Sequence, residues 1–147
     1  MSKVFGPNTA TAPVTFTWPK TSAGVTMAKT MVAVISAETT ISKVYFASSG
    51  TIASDNTNYA TFILTLHDGA GDTVLLSYDT NLTNLPDGVT VGYWEDAVNP
   101  VNLGLAAPVT ITPDATRPAT ISLTISQNGS GASIPAGMLH LQCTRPA

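Results

Sequence analysis

Residues 50–72, GTIASDNTNYATFILTLHDGAGD, decide how the chain is read. Within them residues 61–66 alternate. Phe62, Leu64 and Leu66 fall on one face and Thr61, Ile63 and Thr65 on the other, the period of two that a strand requires. Burying the three apolar side chains of the first face contributes roughly 5–9 kcal/mol, an upper bound because the unfolded chain already hides some apolar surface. That is enough to anchor a sheet. Next comes TVLLSY, residues 73–78, with Val74, Leu76 and Tyr78 on one face. The connection between the two runs, HDGAGD, is short and carries two glycines, which predicts an antiparallel hairpin.

Similar signals recur on both sides. Val14, Phe16 and Trp18 alternate with Thr15 and Thr17 and stop at Pro19, whose missing N–H suits an edge strand. Residues 24–36, GVTMAKTMVAVIS, carry two patterns: Met27, Met31 and Ile35 at helical spacing, or a strand over residues 30–35 buried on both faces. The β-branched run and the AETT turn after it favour the strand, with a single helical turn at residues 26–29 as the alternative.

Residues 41–47 place Ile41, Lys43, Tyr45 and Ala47 opposite Ser42, Val44 and Phe46. Lys43 among apolar neighbours predicts an exposed or edge position. After the DTNLTNLPDG loop, GVTVGYWED predicts a strand interrupted by Gly92, and AVNPVNLGLAA fits either a short edge strand or a packed loop. Short strands follow at residues 109–112, at 120–126 with Ile121, Leu123 and Ile125 facing in, and at 138–144 with Leu139, Leu141 and Cys143 on one face.

Some eight or nine short strands without a helix-length pattern predict an all-β fold, an antiparallel β-sandwich of the jelly-roll kind. Immunoglobulin topology lacks its Cys, Trp, Cys spacing. Threonine, at roughly one residue in six, agrees with strands. The length of 147 residues fits one sandwich domain, residues 25–147, preceded by an extended N-terminal arm, residues 1–24, that holds three of the ten prolines.

Charged residues are only 10% of the chain and the formal net charge is −3, so no basic surface exists to neutralise a phosphate backbone, and nucleic acid is not an expected partner. A hydrophobic content of 44% with so little charge predicts surface buried against other chains. No signal-peptide pattern or bilayer-length apolar run is seen, which predicts an unsecreted chain with no membrane partner. One cysteine, Cys143, excludes an internal disulfide framework.

Candidate chemistry is sparse. His140 and Cys143, three apart on a strand, point to opposite faces and cannot share a metal or proton without a bulge. His67 beside Asp68 invites a triad, but no serine sits in a nucleophile-elbow pattern. The DGAGD turn and the SDNTN loop offer oxygen ligands of the calcium kind without a full binding pattern, and Asp, Asn and Gly serve turns in any case. NGSGAS lacks the lysine of a phosphate loop, and Glu38 and Glu95 lie in predicted turns. No catalytic residue, cofactor or metal site is therefore expected, and the chain reads as a non-enzyme. Val4 and Phe5 in the arm, Trp18, and the Tyr93–Trp94 pair are the expected partner contacts, with the polar groups of SDNTN free for a partner.

The order of strand, NTNYAT loop, strand and DGAG turn, with a later Gly- and Ser-rich loop, IPAG and a final strand, resembles small virion proteins of tailed bacteriophages, among them capsid decoration (cement) proteins and head-fibre components. The resemblance covers residues 41–79 and 120–143. It implies a jelly-roll fold, a homotrimer, a major capsid protein as partner, and a place on the virion capsid surface after assembly in the host cytoplasm. A carbohydrate- or receptor-binding module of a tail or head fibre is the alternative, with a glycan as partner. No site residue of that family maps onto this chain.

Overall fold

The computed structural model describes residues 14–50, 52, 55–81 and 108–144. These form eight strands and no helix: β1 (Val14–Trp18), β2 (Met27–Ile35), β3 (Thr39–Ser48), β4 (Tyr59–His67), β5 (Asp72–Asp79), β6 (Val109–Ile111), β7 (Ala119–Asn128) and β8 (Gly137–Thr144). They make two four-stranded sheets, ordered β1-β8-β3-β6 and β2-β7-β4-β5, with every pairing antiparallel. The sheets pack face to face as a β-sandwich. The pairs are nested: β1 with β8, β2 with β7, β3 with β6 and β4 with β5.

The alternation of residues 61–66 builds the centre of the second sheet. β4 pairs with β7 without a slip from Tyr59↔Asn128 to His67↔Thr120, so Phe62, Leu64 and Leu66 lie beside Ile125, Leu123 and Ile121. All six are buried, and on the other side Phe62 and Leu64 meet Tyr78 and Leu76 of β5. The first sheet answers with Leu139, Leu141 and Cys143 of β8 against Phe46, Val44 and Ile41 of β3. Cys143 is a small core residue and His140 points outward, as their spacing requires.

Trp18 ties the two layers. Its ring stands 5.9 Å from Phe46 of its own sheet and 5.4 Å from Phe62 of the other, and Phe46 and Phe62 are 5.2 Å apart, all tilted or edge-on. Such geometry suits the ring quadrupoles. The indole Nε1–H donates to the Pro135 carbonyl at 2.9 Å, so the buried donor is satisfied. Gly137 makes room, since a Cβ there would collide with the indole Cζ2 and the Ala47 carbonyl oxygen. Trp18, expected as a partner contact, is thus a core residue, 1% exposed.

Three strands depart from simple alternation for one reason, an extra residue. In β2 the register with β7 slips between Met27 and Thr30 and again between Met31 and Ala33. The strand starts at Met27, leaving no helical turn there, and it is not buried on both faces: Ala33 and Ile35 face the core while Met31 and Val34 are exposed. In β3 the slip between Ile41 and Lys43 puts Ile41 in the core with Val44 and Phe46, not with Lys43 and Tyr45. The extra residue, Ser42, donates its hydroxyl to the Gln142 carbonyl at 3.1 Å. Lys43 is exposed, yet β3 is an interior strand. In β5 the slip beside Leu64/Thr65 makes Leu75 the extra residue and turns Val74 outward, away from Leu76 and Tyr78. Each added residue reverses the faces beyond it.

β1 is an edge strand closed at Pro19, and the hairpin of β4 and β5 is present as its turn predicts. The segments GVTVGYWED and AVNPVNLGLAA lie outside the described residues, as do Val4, Phe5, Tyr93 and Trp94.

Candidate functional site

Two of the groupings of polar side chains in the described residues involve positions that the sequence singled out. The first is on the outer face of the second sheet. Because β4 pairs with β5 and β7 in register, His67 stands beside Asp72 on one side and Thr120 on the other, one rank from Ser122. His67 Nδ1 lies 2.6 Å from Asp72 Oδ1, and Nε2 lies 2.8 Å from Ser122 Oγ. A carboxylate only accepts, so Nδ1–H donates to Asp72 and Nε2 accepts from the Ser122 hydroxyl.

The sequence pointed to Asp68 as the acid beside His67. The structure substitutes Asp72 and adds Ser122, which no local motif marks. The Asp68 carboxylate instead accepts the Ala70 N–H at 2.9 Å within its own turn.

Acid, imidazole and hydroxyl stand in the order of a catalytic triad, but the surroundings do not suit one. Ser122 is 0% exposed and lies in mid-strand, where a nucleophile has no approach. β7 is paired on both sides, so the amides around Ser122 serve the ladders and not a developing oxyanion. The cluster works as a clasp that ties β5 to β7 across β4.

Three apolar side chains share the ranks of the clasp. Met31, Ser122, Thr65 and Val74 form one row across the four strands, and Val34, Thr120, His67 and Asp72 form the next. Met31, Val34 and Val74 are 49%, 63% and 59% exposed, and Val25, just ahead of β2, is 55% exposed.

The second place is at one end of the sandwich, where the β1–β2, β3–β4 and β7–β8 connections meet. A depression of about 440 Å³ opens there, lined by Ala23, Ile52, Asp55, Asn58, Ser130 and Ser133 among others. Its walls are fastened to one another. Thr21 and Ile134 exchange backbone hydrogen bonds of 2.8 Å each, and the Ser130 N–H donates to Asn58 Oδ1 at 2.8 Å. The Gln127 side chain accepts from the Ala132 N–H at 2.7 Å and donates to the Ala132 and Val25 carbonyls. Gly131, at φ +80°, completes the joint, for a Cβ there would strike the Gly24 nitrogen and Gln127 Oε1.

The SDNTN loop is therefore not free as expected. Asp55 Oδ1 accepts the N–H groups of Thr57 and Asn58 at 2.7 and 2.9 Å. Those bonds, with Asn58 the larger contributor, hold the Asp55 carboxyl below its ordinary range. Nothing in the sequence brought the β1–β2 and β7–β8 loops to this site. Only the pairing of distant strands does.

Among the described residues no group of three His, Cys, Asp or Glu gathers to hold a metal, and no helix is long and apolar enough to cross a membrane. Compared with protein-family models, with curated proteins and with solved structures, the chain finds no match in any of the three.

Proposed function

We propose that the protein is a structural virion component, a capsid decoration protein that stabilises a phage head by packing against copies of itself and against the major capsid protein. The observation that carries this reading is the set of large apolar side chains, Met31, Val34 and Val74, exposed on the outer face of a single sheet. Met31 and Val34 stand together on β2 and Val74 on β5 at the opposite edge of the same face, with Ser122 and Thr65 between, so a subunit laid across this sheet would cover all three. The low charge of the chain works the same way, since little repulsion opposes close packing of copies. The resemblance of residues 41–79 and 120–143 to small virion proteins supplies the virion. The nested pairing of β1 with β8 through β4 with β5 supports reading the sandwich as a jelly roll.

On this reading the protein forms a homotrimer, sits on the outside of the capsid and performs no chemistry. Light scattering of the full chain and co-sedimentation with empty capsids test it together. A trimer that pellets with capsids is the expected result. A monodisperse monomer at high concentration that stays in the supernatant would overturn it.

A further inference from the structure

We propose that Asn128 is a modification site, whose side-chain amide is lost to attack by the Gly129 nitrogen when the Thr61 hydroxyl releases it. Residues 128 and 129 form the one Asn-Gly step in the chain. The fold needs each residue for a separate reason and so sets them side by side. Gly129 begins the connection after β7 at φ +64°, where a Cβ would strike the Thr57 carbonyl oxygen and Asn58 Oδ1. Asn128 ends β7 opposite Tyr59, and its Nδ2 donates to Thr61 Oγ1 at 2.9 Å. The Thr61 hydroxyl in turn donates to Asp79 Oδ1 at 2.7 Å.

The reaction needs only water besides the chain. The Gly129 backbone nitrogen bonds to Asn128 Cγ and closes a five-membered succinimide, while the Cγ–Nδ2 bond breaks and the amide leaves as ammonia with the Gly129 N–H proton. Water then adds to either ring carbonyl, which leaves aspartate or isoaspartate. No side chain on residue 129 hinders the approach, and Gly129 and Ser130 are exposed, so water reaches the turn. The turn is closed by the Gly131 N–H on the Asn128 carbonyl at 3.0 Å, a bond that does not use the Gly129 nitrogen. The bond to Thr61 is what opposes the step. Ring closure requires the side chain to swing back over its own following peptide, which breaks the Nδ2–Oγ1 bond, so the native chain is guarded at this point.

The product alters the network that guarded it. Asn128 now gives Thr61 a hydrogen, whereas a carboxylate at that position only accepts. The Thr61 hydroxyl has a single hydrogen for two carboxylates, the new one and Asp79, so one of them loses its partner and the two repel across it. Isoaspartate also carries an extra methylene in the main chain at the end of β7. A converted chain is therefore looser where β4, β5 and β7 meet, and more negative on the outer face of the second sheet. The inference does not depend on the assembly role, because it needs only the fold of a single copy.

The test is peptide mapping by mass spectrometry of the full chain held at mildly alkaline pH, reading the Asn-to-Asp mass gain at every asparagine over time. In the urea-unfolded chain Asn128 is expected to convert ahead of the others, and in the native chain roughly tenfold more slowly than in urea. Thr61→Val, which keeps the β-branched shape and removes the hydroxyl, should raise the native rate roughly three- to tenfold, the worth of one hydrogen bond, whereas Thr61→Ser should leave it unchanged. Hydrogen exchange of the β4 and β7 amides is read alongside. Faster conversion with unchanged exchange assigns the guard to the hydroxyl, and conversion that rises only in step with exchange denies it that role. Asn128→Asp, the product, should lower the urea midpoint. Conversion at other asparagines ahead of Asn128 in urea, equal rates in the native and unfolded chain, or a Thr61→Val rate no faster than that of the unaltered chain would overturn the proposal.

Discussion

The outer faces of the two sheets are finished differently. On the first, polar side chains satisfy one another across strands: Thr15 Oγ1 meets His140 Nδ1 at 3.1 Å, the Tyr45 hydroxyl donates to Gln142 Oε1 at 2.9 Å, and Thr40 and Thr110 share a hydrogen bond of 2.9 Å. The Tyr45 and His140 rings also pack at 5.7 Å. On the second, two polar groups, Asp72–His67–Ser122 and Asn128–Thr61–Asp79, share the face with Met31, Val34 and Val74. Each sheet carries one histidine on its outer face, yet one completes a surface network and the other closes over a buried hydroxyl. Among the described residues the first face carries no large exposed apolar side chain, whereas the second carries Met31, Val34 and Val74.

The contrast presupposes that the layers stay joined, and the aromatic trio is where that can be broken. Trp18→Ala should cost about 3–5 kcal/mol, measured by denaturant unfolding, because it opens a cavity between the sheets and orphans the Pro135 carbonyl. The two histidines come next. His67→Ala should cost about 1–3 kcal/mol, since it leaves the Ser122 hydroxyl buried without its partner. His140→Ala, on the face that water already reaches, should cost less than about 1 kcal/mol. Equal costs for the two would erase the distinction between clasp and surface network. Replacing Met31 and Val34 together by lysine should change stability by no more than about 0.5 kcal/mol while abolishing self-association in light scattering. Unchanged association would move the interface off the second sheet.

The subtlest test is alkaline. Burial, and then the neighbouring Asp79, push the Tyr78 phenol up from 10.0 to about 12. The folded state therefore prefers the protonated phenol. The stability that follows is whole below pH 10.0 and is lost as the pH climbs toward 12. Tyr78→Phe should flatten that limb in urea unfolding measured across the same range. An unaltered alkaline limb would assign the loss to other groups.

What could be read from residues alone follows the places where strands keep step. Phe62, Leu64 and Leu66, and Ile121, Leu123 and Ile125, were legible because β4 and β7 pair without a slip and one face stays in the core. Met31 and Val74 were not, because an added residue nearby, Val32 or Leu75, reverses the face and has no mark in composition. Carrying the hairpin of residues 61–66 and 73–78 one pair further would have set His67 against Asp72. Ser122 required the pairing of β4 with β7, more than fifty residues away. The depression was hidden for the same reason, since its walls come from three connections that meet only when the sandwich closes.

The nesting of strands also sets an order in time. Of the four nested pairs only β4 and β5 are joined by a tight turn, whereas Val14 of β1 waits for Leu141 of β8. A chain leaving the ribosome would hold β1 unpaired until β8 has been made, and closure over so long a loop is slow. The unpaired β-edges exposed in that interval invite partners, so the yield of folded protein should depend on how quickly the last strand follows the first.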